Sequence, residues 1–350
     1  MNRKLVTVLL PVYNAEKFLR EAIDSILNQT YHNIEFLIIN DGSTDKSEDI
    51  ILSYKDKRIR YVKNECNLKL IKTLNKGIDL AKGEYIARMD ADDISLPSRL
   101  QKEVDFLETH GDIGMVSCFP YNMAMSGKVL CKSSFFSCTR PDACRFVSIF
   151  ETPLLHPGSM FRSSVIKEYK YNDKPEFYHI EAYELWNRLM FEKNVHGAMI
   201  PEFLLKYRDN ATSITHVYKN IEWERHLNVL KRSLSKYLGL QTTDEVLLCI
   251  SSKKSNDIRI VNEAFNFLNA SINAYFYKYK IVDRRDALEI NNWAKQRKLA
   301  ILLTSILSNK VSVKFQLILK LLCNFDLLLS SQNLIYIKNR ITRLFNEHSL

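Results

Sequence analysis

Three carboxylates, Asp90, Asp92 and Asp93, stand within four positions at the end of an apolar run, residues 85–89. Burying so much like charge is costly, so the tip of such a strand is solvated or holds a cation. Oxygen-only ligands suit a hard ion such as Mg2+ or Mn2+, which keeps coordination positions open for the phosphates of a substrate. A lone Asp-x-Asp is more often an exposed acidic turn. Here phosphate-compatible residues also end the strands that come before it, and the chemical reading gains weight.

The elements that must position these residues are read from pattern. Residues 6–12 form a continuous β-branched and aliphatic run, as in a strand covered on both faces. Residues 34–39 make a second strand, 60–62 a short third and 85–89 the fourth. Apolar residues recur between them at helical spacing: Phe18, Leu19, Ala22, Ile23, Ile26 and Leu27, then Leu70, Ile71, Leu74, Ile78 and Ala81. Asn14 is expected to cap the first helix and Gly83 to close the one ending near Ala81. A helix opens after the turn 40–45, and Pro97 opens another carrying Leu100, Val104 and Leu107.

Repeated strand–helix units imply an α/β fold with a mostly parallel sheet and helices on both faces. Ligands of such sheets bind beyond the carboxyl ends of the strands. Those ends carry Tyr13-Asn14, Asp41 and Asp90-Ala91-Asp92. An Asp after the second strand can accept from a ribose hydroxyl or a base N–H. No Gly-x-Gly-x-x-Gly follows the first strand and no Walker A lysine motif occurs, which argues against a dinucleotide dehydrogenase and a P-loop ATPase. The residues point to a nucleoside-diphosphate site with a divalent metal.

A chain of 350 residues is long enough for two domains. Residues 1–215 carry 29 Lys/Arg and 29 Asp/Glu, whereas 216–350 carry 21 and 11, so the net charge of +10 lies wholly in the second part. A boundary near residue 215 follows. The seven cysteines are odd in number and form no Cys-x-x-Cys, indicating neither a zinc site nor a disulfide framework. A reducing cytoplasm is the expected compartment. The first apolar run ends in Pro11-Val12-Tyr13-Asn14 without a small-residue cleavage site, unlike a signal peptide.

Pro11-Val12-Tyr13-Asn14, Asp41-Gly42-Ser43-Thr44-Asp45 and Asp90-Ala91-Asp92-Asp93, in this order and spacing, resemble the motifs of family 2 glycosyltransferases with the GT-A fold. Ser25-Ile26-Leu27-Asn28-Gln29-Thr30 and Leu74-Asn75-Lys76-Gly77-Ile78 are also similar to that family, and the likeness covers residues 4–215. It implies a Rossmann-like GT-A domain, 1–215, followed by a basic helical region, 216–350. The implied reaction is inverting transfer of a sugar from a nucleotide sugar, with UDP the expected nucleotide. The implied acceptor is a glycan or lipid-linked oligosaccharide in the synthesis of a surface polysaccharide, O-antigen or capsule.

By the same resemblance, Asp41 would contact the nucleoside of the donor, and Asp90 its ribose or sugar. Asp92 would hold the Mn2+ or Mg2+ that bridges the diphosphate, while Pro11 and Tyr13 would shape the nucleoside pocket. Arg208 would pair with the diphosphate, although a surface arginine is an equal reading. His156-Pro157-Gly158-Ser159-Met160-Phe161-Arg162 resembles a segment lining the donor–acceptor cleft. His156 would then touch the acceptor or donor sugar, unless it is simply hydrogen-bonded in its loop.

In the family, the acceptor's proton goes to the Asp of a Glu-Asp pair that opens a helix. Glu181-Ala182-Tyr183-Glu184-Leu185-Trp186 puts Ala182 at that position, and a methyl group cannot accept a proton. Three readings compete. The chain is an inactivated form that Ala182→Asp would restore, or Glu181 acts instead, or the protein is a pseudo-enzyme that binds donor without efficient transfer. The plain account of Glu181 and Glu184 is favourable placement near a helix N-terminus. Relatives also place a metal-binding His after a Tyr-Arg pair, where this chain has Asn210, a weaker ligand; His216 is not expected to serve. A sugar nucleotidyltransferase, the rival enzyme class, would need a glycine-rich basic first loop, which residues 10–15 lack.

From residue 220 the pattern is helical, with Ile260, Val261, Ala264, Phe265, Leu268 and Ile272 in one stripe and an apolar stretch over 299–329. Lys310, Lys314, Lys320 and Asp326 interrupt that stretch, short of the roughly 18–20 apolar residues that span a bilayer. Aliphatic faces flanked by lysines fit a region peripheral on the inner face of the cell membrane, or an ordinary subdomain with a solvated basic face. No recognition motif supports nucleic acid as a partner. Residues 120–155 are expected to form a variable loop region over the acceptor side.

Overall fold

The computed structural model describes residues 3–133, 138–209, 219–252 and 254–308, with Lys314, Ile318 and Lys320. The expectations for Asn210, His216 and the apolar stretch beyond residue 308 lie outside the described residues. The chain separates into two units, Met1–Ser133 with Thr152–Arg225, and Ser134–Glu151 with His226–Leu350.

The first unit opens with β1 (Val6–Val12), α1 (Leu19–Leu27), β2 (Ile34–Asn40), α2 (Ser47–Ser53), β3 (Ile59–Lys63), α3 (Leu70–Leu80) and β4 (Tyr85–Arg88). The four strands are parallel, in the spatial order β3-β2-β1-β4. Every residue of β2 is buried, which is why its sequence shows no polar alternation. The helical stripes face inward as spaced: α1 buries Leu19, Ala22, Ile23 and Ile26, and α3 buries Ile71, Leu74, Gly77 and Ile78.

Then come β5 (Ile94–Ser95), α4 (Arg99–Thr109), β6 (Ile113–Met123), β7 (Val129–Lys132), α5 (Pro141–Val147), β8 (Met160–Arg162), α6 (Ser163–Tyr169), α7 (Glu181–Glu192) and β9 (His196–Arg208). Here the sheet becomes mixed. β8 runs antiparallel to both β4 and β6, β9 parallel to β6, and β5 antiparallel to β9. Among the described residues this makes one nine-stranded sheet, β3-β2-β1-β4-β8-β6-β9-β5, with β7 on β6.

Two local expectations are corrected. Asn14 does not cap α1, whose N-cap is Phe18; its φ of 48° turns the chain toward the loop after β2. Gly83 does not close α3, whose C-cap is Ala81. A Cβ at Gly83 would lie 2.4 Å from the Thr7 nitrogen, so close approach to β1 is what excludes a side chain there.

The second unit is helical, with α5, α8 (Lys219–Ser233) from His226 onward, α9 (Asp244–Ser252), α10 (Ile258–Tyr279) and α11 (Arg284–Ser308). The Asp257 carboxylate caps α10 by accepting from the Arg259 N–H at 2.8 Å. The stripe Val261, Ala264, Phe265, Leu268 and Ile272 is core, as are Leu299, Ile301 and Leu302. The expected loop region 120–155 is not one continuous loop: it contains the end of β6, and β7 and α5. α5 belongs to the helical unit because Phe146 packs edge-on against Tyr275 and Trp293, and Arg140 pairs with Asp286 at 2.9 Å. No helix among the described residues is long and apolar enough to cross a membrane.

Candidate functional site

The loops after β1 and β2 are laced together by hydrogen bonds. The N–H groups of Asn14 and Ala15 donate to the hydroxyls of Ser43 and Ser47, at 3.1 and 2.9 Å. The Thr44 N–H donates back to Asn14 Oδ1 at 2.8 Å, Glu16 N–H to Asp45 Oδ2 at 3.0 Å, and Lys46 N–H to Glu16 Oε2 at 2.9 Å. Gly42 is required in this turn, because its φ is 72° and a Cβ would meet the Cys66 carbonyl carbon at 2.8 Å. Pro11 is partly buried beside the turn, and Tyr13 is 49% exposed, leaving its ring open to stack on a planar group.

Asp41 is buried behind that turn. Its Oδ1 accepts from Asn64 Nδ2 at 2.7 Å and from the Leu68 N–H at 2.9 Å. Lys76 Nζ donates to Asn64 Oδ1 at 2.6 Å, which explains one polar residue of the segment 74–78. Asn75 explains another: it exchanges two hydrogen bonds with the backbone of Tyr171, at 2.9 and 3.0 Å.

β4 delivers the carboxylates to the same rim, since Leu9 of β1 pairs with Arg88 and Val12 with Asn40. The buried Arg88 guanidinium grips Asp90 with two contacts, 2.5 and 2.8 Å. Burial works against the charge of Arg88, but Asp90, Tyr171, Asp93 and Glu181 together raise its pKa. Asp93 is buried. Burial, then Asp92 and Asp90, hold its carboxyl well above its ordinary 3.8. Its Oδ1 accepts from the Arg208 N–H at 2.9 Å, while Oδ2 has no hydrogen-bond partner.

One oxygen from each of Asp90, Asp92 and Asp93 lies within 4.8 Å of the others. A buried unpartnered carboxylate oxygen inside an all-oxygen set fits a small hard cation. Because Arg88 already engages both oxygens of Asp90, Asp92 and the inner oxygen of Asp93 are the better candidates to hold one. Tyr207 feels the charge of the set: burial raises its phenol, followed by Asp93, Asp90 and Asp92.

Segments 94–100 and 25–30 clamp this turn in place. Gln29 Nε2 donates to Ser95 Oγ and the Leu96 carbonyl, at 3.1 and 2.8 Å, and its Oε1 accepts from the Leu100 N–H. Arg208 differs from expectation. Its side chain is only 1% exposed, with Nε donating to the Asp92 carbonyl at 2.7 Å, Nη1 to that of Met125 at 3.0 Å, and Nη2 pairing with Glu21 at 2.6 Å. It also lies 4.3 Å over the Phe18 ring. A guanidinium so engaged is not a surface arginine, and it braces the acidic turn through the Asp92 carbonyl.

Across the rim, His156 and Tyr171 share a 2.7 Å hydrogen bond. Burial, then the Arg88 charge, push His156 well below its ordinary 6.5, so it is neutral. Glu181 begins α7 and is partly buried. Burial raises its carboxyl above 4.5 and Asp90 adds to this, whereas the backbone N–H groups of Glu181 and His179 and the Arg88 charge act oppositely. Ala182 follows it, half-buried. The structure thus gathers Asp90, Glu181 and Tyr171 around Arg88. The sequence reading missed Arg88, Tyr171 and Tyr207 as site residues; Arg88 stands just before Asp90 and Tyr207 just before Arg208, but Tyr171 lies next to no motif and carried no signal.

A family model described as Glycosyl transferase family 2 matches residues 7–169. An uncharacterized glycosyltransferase of Methanocaldococcus jannaschii is 38% identical over 217 residues, 59% of this chain and 72% of that protein. One from Haemophilus influenzae is 32% identical over 247 residues, 68% of this chain and 76% of that protein. Among solved structures, S. aureus TarS 1–349 in complex with UDP-GlcNAc gives a TM-score of 0.51 at 17% identity, covering 84% of this chain and 86% of that one. The mannosyltransferase PcManGT from Pyrobaculum calidifontis, in complex with GDP-Man and Mn2+, gives 0.50 at 15% identity, covering 98% and 85%. These two structural likenesses concern the fold, which is that of GT-A glycosyltransferases.

Proposed function

Because this chain belongs to glycosyl transferase family 2, we propose that it moves one sugar, with inversion, from a nucleotide sugar to a hydroxyl of a glycan or lipid-linked oligosaccharide. The observation that carries this reading is the meeting of two kinds of carboxylate around Arg88. Asp90 and its neighbours stand on one side, suited to a metal-bound diphosphate. Glu181 stands on the other, suited to take a proton. UDP is the proposed nucleotide, from the motif resemblance. The acceptor chemistry and the basic second unit support work at the inner face of the membrane, building a surface polysaccharide.

Asp41, Pro11 and Tyr13 hold the nucleoside in this reading, and Asp90, fixed by Arg88, meets the ribose or sugar. Asp92, with Asp93 behind it, holds Mn2+ or Mg2+. When bound, such an ion supplies Lewis-acid compensation for charge on the departing diphosphate. Glu181 accepts the acceptor hydroxyl's proton, and its raised pKa makes it a stronger base than an exposed glutamate. The neutral His156, oriented by Tyr171, offers a hydrogen bond to a sugar hydroxyl. A second reading rests on Ala182: with no carboxylate at the family's base position, the chain binds donor but transfers poorly.

Calorimetric titration of UDP and GDP, with and without Mn2+, tests the donor site. Metal-dependent UDP binding that disappears in Asp92→Asn is expected. Failure of the folded protein to bind either nucleotide would overturn the reading.

A further inference from the structure

The apolar stripes of the helical unit turn inward, but two large apolar side chains do the reverse. Tyr277 is 89% exposed and Val282 87%, and Leu288 follows at 60%. All three belong to one hairpin, residues 277–288. There α10 gives way at Lys280, which takes a φ of 50°, and α11 starts at Arg284. The two helices pack against each other, so the connection forms a tip.

Charge on this tip is sorted. Its carboxylates face the unit's own 139–140 segment: Arg140 contacts Asp283 at 2.5 Å and Asp286 at 2.9 Å. Just beyond, Glu289 accepts from the Thr139 and Arg140 N–H groups at 2.8 and 3.0 Å. Lys278, Lys280, Arg284 and Arg285 point outward and are exposed. Lys278 Nζ lies 3.4 Å from the Lys236 carbonyl, and Arg285 shares Asp283 at 3.3 Å while remaining 75% exposed. Neither contact removes positive charge from the surface.

We propose that this tip docks on an anionic lipid bilayer. A tyrosine ring and branched aliphatic side chains suit the headgroup–acyl boundary, and lysine and arginine stems reach lipid phosphates while shielding apolar surface. A nucleic acid would use the four cations but leave Val282 and Leu288 in water. The inference sharpens the peripheral placement proposed above. It can be separated from sugar transfer, because vesicle binding needs neither donor nor metal.

Co-sedimentation of the full-length protein with vesicles decides it. Binding to phosphatidylcholine vesicles enriched in phosphatidylglycerol, absence of binding to phosphatidylcholine alone, and weakening by salt are expected. Lys280→Glu with Arg284→Glu should abolish binding, and Tyr277→Ser with Val282→Ser should weaken it even at low salt. Both variants should keep the wild-type melting temperature, since the replaced side chains are exposed. Absence of binding to anionic vesicles at low salt would overturn the proposal, as would wild-type binding by the Tyr277/Val282 variant. A dimer that Val282→Ser dissolves would also overturn it, by making a second copy the occupant.

Discussion

Arg99 Nη1 donates to the main-chain carbonyl of Arg88, 3.1 Å away and two residues before Asp90. The same nitrogen donates to the Pro157 carbonyl at 3.0 Å, beside His156. A wholly buried guanidinium on α4 therefore ties the end of β4 to the segment across the rim. This side chain thus adds a second link to the β4–β8 pairing that already joins the two parts of the candidate site.

Replacing Arg99 should reveal that link. Arg99→Met leaves two buried carbonyls without this donor and should cost about 1–3 kcal/mol, read by denaturant unfolding. Arg99→Lys keeps the charge but not the planar fork, so it should cost less. Nucleotide affinity of the folded lysine variant should still fall, because the strand end and the His156 segment lose one of the links that hold them together. Unchanged affinity would make Arg99 a stability residue only.

Glu103, one turn along the same helix, predicts how stability responds to pH. It is wholly buried, neither of its oxygens has a hydrogen-bond partner, and burial pushes its carboxyl from 4.5 up to about 8 despite the Arg99 charge. A folded-state pKa above the unfolded one means that the protonated form favours the fold. Its contribution is complete below the unfolded value and fades as pH rises through about 8. The melting temperature should drop by about 3 °C between pH 6 and 9 from this group alone. Glu103→Gln should flatten the curve, which a scan of both proteins across that range would check.

The parallel half of the fold was legible because its cues are local. β1, β2 and α1 to α3 are continuous or periodic apolar runs, and the rule that ligands sit at strand ends puts Asp41 and Asp90 on one rim before any coordinates exist. The mixed half was not. β8 is three residues long, and its place between β4 and β6 depends on partners about seventy-five residues away in one case and forty-five in the other. Arg140 meets Asp286 across 146 positions, so nothing near Pro141 announces that α5 belongs to the helical unit. The bracing contacts of Arg208 were hidden for a related reason. Its motif position suggested a ligand contact, but Glu21, Asp92 and Met125 all reach it only in the folded chain.

Asp41 should act on stability and binding together. Asp41→Ala leaves the Leu68 N–H without its acceptor and the Asn64 amide with only Thr73 Oγ1, at a cost of about 1–3 kcal/mol. The loop 64–68 then loosens against Gly42, and nucleotide affinity should fall with it. Asp41→Asn retains an acceptor oxygen and should recover most of the stability. If it also recovers full affinity, the carboxylate charge has no part in holding the nucleoside. Thermal unfolding and nucleotide titration on the two variants separate these effects.

The competition between Glu181 and Ala182 can be resolved by rate against pH. A general base must be ionised, so turnover through Glu181 is present above its pKa and lost as pH falls through it. Burial and Asp90 raise that pKa above 4.5, so the acid limb of the profile should lie above the ordinary glutamate range. Glu181→Gln should lower turnover by about 10²–10⁴ while metal-dependent nucleotide binding persists. Ala182→Asp adds a second carboxylate to the first turn of α7, near Glu181, and each would then raise the other's pKa. If Glu181 is the base, that substitution should leave turnover within a few-fold of the original and shift the acid limb upward. A rise of several orders of magnitude would instead move the base to position 182, and the chain with alanine there would be a donor-binding form impaired in transfer.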